Sequence, residues 1–105
     1  MSYNNNIGSI VAGISPGATV TTGVASASVA IPLIEGGAVP RFVRVSATTE
    51  SYVRLGVTGA VATANDVLVQ PSDSVYLAIP NGITTIAYIQ GTTAGKVNIS
   101  PLENS

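Results

Sequence analysis

The side chains able to do acid–base, nucleophilic or metal chemistry in this sequence are few and scattered. The acids are Glu35, Glu50, Asp66, Asp73 and Glu103. There is no histidine and no cysteine, which removes the commonest general base, the commonest metal ligand and any thiolate or disulfide. Asp66 and Asp73 flank one short strand and could approach each other as a carboxylate pair or a calcium site. Neither comes with the clustered oxygen ligands of a calcium loop, and "AND" and "PSDS" are places where turns favour Asp. The turn reading is the one adopted. The serines form no G-x-S-x-G elbow, and a Ser–Lys pair has only Lys96 to draw on. "GTTAGK" at 91–96 resembles part of a phosphate loop, but it lacks the first-glycine spacing and has Val97 where Ser or Thr should follow the lysine. It reads as a hairpin turn. No catalytic residue, metal or cofactor is expected, and the chain is not expected to be an enzyme.

The basic residues are more concentrated. Arg41, Arg44 and Arg54 hold three of the four positive charges. If the "RFVRV" and "YVRLG" strands pair, Arg44 and Arg54 fall on one face beside Phe42 and Tyr52, a patch suited to a sugar or a nucleobase. A net charge of −1 offers no electrostatic footprint for nucleic acid or an anionic membrane. A partner protein is the better match, because Arg and Tyr are enriched at interfaces. Arg44, Tyr52, Arg54 and Tyr76 are therefore the expected contact residues of the folded part. "NIS" at 98–100 matches a glycosylation acceptor, but it lies inside an expected strand and is taken as chance.

The elements that must position these residues have a period of two. In "RFVRVSA" (41–47) Val43 and Val45 share one face, Phe42 and Arg44 the other. In "YVRLGV" (52–57) Val53, Leu55 and Val57 oppose Tyr52 and Arg54. In "SVYLAIP" (74–80) Val75, Leu77 and Ile79 oppose Tyr76 and Ala78. "DVLVQP", "TTIAYIQ" and "KVNISPL" complete six strands, and "GATVTTG" and "SASVAIPLI" add two. Turn-forming residues separate them, and no helical run intervenes. The expectation is an all-β, antiparallel β-sandwich, jelly-roll-like, over residues 17–105, preceded by an extended N-terminal arm at 1–16.

Charged residues make up 9% of the 105-residue chain, against roughly 25% in ordinary soluble domains. The mean hydropathy of +0.46 could suggest a membrane span. However, Pro16, Pro32 and many Ser, Thr and Gly residues break the uncharged first 34, leaving no run of about 20 apolar residues. "ASA" at 25–27 has the look of a cleavage site, yet "MSYNNN" supplies no basic leader, so export is not expected. Sheet proteins usually protect exposed edges with Lys, Pro or inward charges. Lys96 is the only lysine here. A surface of Ser, Thr, Ala and Gly packs flat against neighbours with little side-chain entropy to lose and no charge to desolvate. Such a chain is expected to be an oligomer within something larger. Ile7, Ile10, Val11 and Ile14 of the arm are expected to order against another subunit, by strand addition and apolar packing.

Residues 40 to 104 resemble a group of small tailed-phage virion proteins through "RFVRVSATTESYVRLG", "DVLVQPSDSVYLAIPNGITTIAYIQ" and "AGKVNISPLEN". The likeness is one of pattern and carries no catalytic signature. It implies a structural virion protein of the decoration or cement type: a homo-oligomer, by expectation a trimer, bound outside the shell of the major capsid protein. Its places would be the capsid exterior and, during assembly, the host cytoplasm. A different reading is a receptor- or glycan-binding module of a phage tail or fibre, using Phe42, Tyr52, Tyr76 and Tyr88 with the arginines.

Overall fold

The computed structural model describes residues 16–34 and 37–102. They form eight strands: β1 (Ala18–Thr21), β2 (Ala27–Ala30), β3 (Phe42–Ala47), β4 (Ser51–Gly56), β5 (Val67–Val69), β6 (Val75–Ala78), β7 (Thr85–Gln90) and β8 (Lys96–Leu102). All eight expected strands are present. The front sheet has the order β1-β8-β3-β6 and the back sheet β2-β7-β4-β5, with every pairing antiparallel. The two sheets pack face to face as a sandwich.

The order follows from folding one long ribbon. The chain doubles back on itself between β4 and β5, so β4 pairs with β5, β3 with β6, β2 with β7 and β1 with β8. The ribbon then rolls up, bringing β8 against β3 and β7 against β4. That is the jelly-roll connection. One expectation is corrected here. Residues 91–95 do not close a hairpin, because β7 lies in the back sheet and β8 in the front one. They carry the chain across the sandwich.

The core lies between the sheets and is built from the alternate residues of each strand. Val43, Val45, Val97 and Ile99 of the front sheet meet Val53, Val69, Ile86 and Tyr88 of the back sheet, all buried. β-Branched side chains suit this role, since their stiff χ1 loses little freedom on a pleated surface. Each fully buried Val or Ile contributes about 1.5–3 kcal/mol relative to an exposed one. Ser51 also points inward with no exposure, and its Oγ donates to the Thr49 carbonyl at 3.1 Å. Pro101 lies opposite Val43 of β3 and past the stretch that β1 pairs, Lys96 to Ile99, so on the β1 side its missing N–H leaves no ladder bond unmade.

Threonine hydroxyls lace together the connections at one end of the sandwich. Buried Thr22 accepts the Gly95 N–H at 2.9 Å and donates to the Gly95 carbonyl at 3.2 Å. Thr48 accepts the Lys96 N–H at 2.8 Å, and Thr49 donates to the Thr93 carbonyl at 3.2 Å. A Cβ at Gly95 would meet the Thr49 and Thr48 hydroxyls, so a larger residue there would make these side chains move out of their hydrogen bonds. The threonine-rich composition thus satisfies backbone groups in loops that have no ladder to join.

Candidate interaction surface

Each sheet turns an outer face away from the core. On the front sheet that face carries Thr19 and Thr21 of β1, Lys96, Asn98, Ser100 and Leu102 of β8, Phe42, Arg44 and Ser46 of β3, and Tyr76 and Ala78 of β6. Arg44 and Tyr76 are direct cross-strand partners, so these two expected contact residues do meet. Around them runs a polar ladder. Asn98 Nδ2 donates to Thr19 Oγ1 at 3.0 Å, the Ser100 hydroxyl donates to Asn98 Oδ1 at 2.6 Å, and the Ser46 and Ser74 hydroxyls share a bond of 2.8 Å. Phe42 stands opposite Leu102 and is half-buried, while Tyr76 is 46% exposed.

The back sheet differs. Tyr52 and Arg54 are outward on β4, beside Leu68 of β5 and Ile89 and Ala87 of β7. Here the β4–β5 connection, residues 57–66, runs back across the sheet. The Ala62 N–H reaches Ser26 Oγ at 2.8 Å, at the start of β2 on the far edge. Ala62 is buried, and Ala87, although outward-facing, has no exposure at all. Arg54 Nε donates to Asp66 Oδ1 at 2.8 Å, and Asp66 Oδ2 accepts the Thr63 N–H at 2.7 Å and the Thr63 hydroxyl at 3.2 Å. That backbone hydrogen bond and the Arg54 guanidinium hold the Asp66 carboxyl below its ordinary range, against a smaller opposing effect of burial. This connection is a flap, and Asp66 pins its end.

A second correction follows from the topology. β3 and β4 do not pair; they lie in different sheets. Arg44 and Arg54 therefore project from opposite faces of the sandwich, and the single arginine–aromatic patch does not form. Tyr88 points inward between Val53 and Ala27 and is part of the core, so it offers no platform to a sugar. Val57, expected inward with Val53 and Leu55, lies past the end of β4 and is 58% exposed. The arm residues Ile7, Ile10, Val11 and Ile14 lie outside the described residues.

Asp66 and Asp73 both serve turns, Asp66 as above and Asp73 through a bridge to Gln70. Among the described residues no group of three or more His, Cys, Asp or Glu could hold a metal. A shallow groove between the β2–β3 and β6–β7 connections is lined by Val39, Pro40, Arg41, Ile79, Pro80 and Ile83 among others, with no acid among the described residues that line it. It offers no acid–base pair.

The edges are the feature that counting charges along the sequence does not locate. Among the described residues the edge strands are β1 and β6 in the front sheet and β2 and β5 in the back sheet. Their sequences, ATVT, VYLA, ASVA and VLV, contain no charged residue, no proline and no glycine. Only their length of three or four residues limits pairing with another chain. Of the eight large apolar side chains exposed among the described residues, five lie between the end of β4 and β6 in the chain (Val57, Val61, Val67, Leu68 and Tyr76), and Val24, Leu33 and Val39 lie in the connections around β2 and β3. Comparison with protein families, curated sequences and solved structures finds no match.

Proposed function

We propose that this chain is a structural component of a bacteriophage particle, an oligomer that decorates and stabilises a shell of major capsid protein. One observation carries the reading: among the described residues all four sheet edges lack charge and proline, the state of a protein whose edges are occupied by partners in its working form. Three further features support it. The strands carry only Arg44, Arg54 and Lys96 as charges, so packing either face against a neighbour desolvates little charge. Arg44 and Tyr76 stand side by side on the outer face of the front sheet, a pair suited to anchoring a protein contact. The jelly-roll sandwich is an architecture that capsid proteins use, although fold by itself assigns no function.

In this reading many copies bind one particle, and their combined occupancy supplies retention that a single contact does not. The test is co-sedimentation of the purified chain with undecorated phage shells. Saturable, stoichiometric occupancy is expected, reduced by deletion of residues 2–14 and by Arg44→Ala with Tyr76→Ala. Undiminished occupancy by the deletion variant discards the arm as the anchor. Absence of shell binding, together with reproducible saccharide binding on a glycan array, replaces the reading with the tail-module alternative.

A further inference from the structure

We infer that β1 is a self-recognition edge, at which two copies of this chain pair antiparallel about a two-fold axis through Thr19. The inference rests on the reading of the chain as an assembling protein, and it names the surface.

The phase of the hydrogen bonds shows which backbone groups of β1 are already used. The Thr22 N–H donates to the Gly95 carbonyl at 2.8 Å, in the register that pairs β1 with β8. Bonded pairs alternate along an antiparallel ladder, so Ala18, Val20 and Thr22 face β8, while Gly17, Thr19 and Thr21 turn their N–H and C=O groups outward. Among the described residues no strand meets that side. Gly17, Thr19 and Thr21 are exposed and Ala18 and Val20 half-buried, so the edge is open along every residue the contact uses.

An antiparallel two-fold contact is isologous, each residue meeting its mirror position on the other copy. Centred on Thr19, it sets Thr19 against Thr19 and Gly17 against Thr21 twice, the residues whose backbone groups face outward. Ala18 meets Val20 on the inner side, a small residue beside a larger one. Pro16, which has no N–H, falls opposite Thr22, whose own N–H is given to Gly95, so no ladder bond is lost there. An axis one residue later would draw in Gly23, whose carbonyl accepts the Gln90 N–H of the back sheet. On the outer face Thr19 Oγ1 accepts from Asn98 Nδ2, which leaves its hydroxyl proton to donate across the axis. No charge lies in the contact. Lys96 stands beside Thr21, and strand geometry sets the two copies' lysines roughly 20 Å apart, beyond the Debye length of about 8–10 Å.

The other edges lack this fit. β5 is closed at one end, where Val69 is buried and Gln70 is bridged to Asp73. In β6 the Ile79 N–H bond to the Arg41 carbonyl sets the phase, and the outward series Tyr76, Ala78 runs into Pro80. β2 starts where the flap is tied to Ser26. The β1 edge alone falls short of the roughly 1,200 Å² that a stable interface buries, and the segment before Pro16 supplies the rest. In this register Pro16 of each copy ends beside the partner's Thr22, so residues 1–15 start at the partner's surface, close to a Val24 that is 83% exposed. Arg44 and Tyr76, on β3 and β6, stay clear of the axis and uncovered.

A two-fold edge joins copies in pairs, which departs from the trimer expected from the sequence. The test uses the full chain, which contains no cysteine. Sedimentation velocity is expected to show a species of twice the 10.5 kDa chain mass, weakened about tenfold or more by deletion of residues 2–14. Thr19→Cys is expected to cross-link two copies nearly completely with oxidised glutathione, because opposed Cα atoms of a hydrogen-bonded pair stand about 5.5 Å apart, within disulfide reach. Ser28→Cys, on the β2 edge, is expected to stay uncross-linked. Thr19→Pro removes only an N–H that faces the partner, and a folded monomer is expected. A monomeric or trimeric wild type, equal cross-linking at residues 19 and 28, or a dimer that Thr19→Pro does not weaken overturns the inference. A chain that dimerises only after residues 2–14 are removed overturns it too, since its own first residues then occupy the edge. Shell binding by a chain that fails these tests leaves the proposed function standing; dimers that ignore shells sink that function alone.

Discussion

The two sheets share one core, but they are covered differently. The back sheet is roofed by its own chain: residues 57–66 cross its outer face, bury Ala62 and Ala87, and are pinned by Ser26 at one side and by Asp66 with Arg54 at the other. The front sheet has no such connection among the described residues. Its outer face presents Arg44, Tyr76, Lys96 and a ladder of short hydroxyl and amide side chains. The difference teaches where partners fit. A face that already has a roof needs none from outside, whereas the front face around Arg44 and Tyr76 and the uncharged edges are the surfaces left for association; the other end of the front face, at Phe42 and Leu102, is already covered.

The largest effects test what the sheets have in common. Ile99 of the front sheet and Ile86 of the back sheet are both fully buried. Truncating either to Ala is expected to cost about 2–5 kcal/mol in chemical denaturation. Similar losses mean that the sheets differ in cover and not in core; a cheap Ile86→Ala would mean that the flap carries stability assigned here to the sandwich. The next experiment places one substitution on each outer face. Ala87→Leu, under the flap, is expected to destabilise by about 1–3 kcal/mol through overpacking. Ala78→Leu, outward and exposed on β6, is expected to stay within about 0.5 kcal/mol. Equal effects would remove the distinction between the faces.

The legibility of these features in the sequence divides along the same line. Alternation in "RFVRVSA", "YVRLGV" and "SVYLAIP" places Val43, Val45, Val53, Leu55, Val75 and Leu77 inward, because side-chain direction in a strand is fixed by parity alone. Strand partners are a long-range property, and parity says nothing about them. "RFVRV" and "YVRLG" are neighbours in sequence with a short connection, the usual mark of a hairpin, yet the rolled ribbon sends them to opposite sheets. The arginine patch was lost for that reason. The flap was hidden for another: "VTGAVATAN" has the composition of an ordinary turn. Its place shows in the fold, through the Ala62–Ser26 bond between residues 36 apart and the burial of Ala62 and Ala87.

That bond gives a smaller, more local test. Ser26→Ala removes the acceptor of the Ala62 N–H, a partly buried group. The expected loss is about 1 kcal/mol, with faster amide exchange at Ala62 and unchanged exchange at Val43 and Val45. Faster exchange across the whole domain would mean that the flap unfolds only with the sandwich, not ahead of it.

The smallest effect concerns the other end of the flap, and pH gives its sign. Asp66 has a carboxyl held below its ordinary value of 3.8, first by the Thr63 backbone N–H and then by Arg54. A group whose folded value is depressed adds stability that is complete above the unfolded value and fades as pH falls towards the folded one. The wild type should therefore lose some melting temperature between pH 6 and pH 3 that Asp66→Asn does not lose. At pH 6 the variant should melt lower than the wild type, and the two curves should converge on acidification. The bridge itself is weak evidence of stability, since the Arg54 side chain is 52% exposed and salt screens such pairs. Arg54→Gln should accordingly shift the melting temperature less than Asp66→Asn does, because the Thr63 hydrogen bonds survive it. Were the two substitutions equal, the ion pair and not the backbone hydrogen bond would be what holds the roof of the back sheet in place.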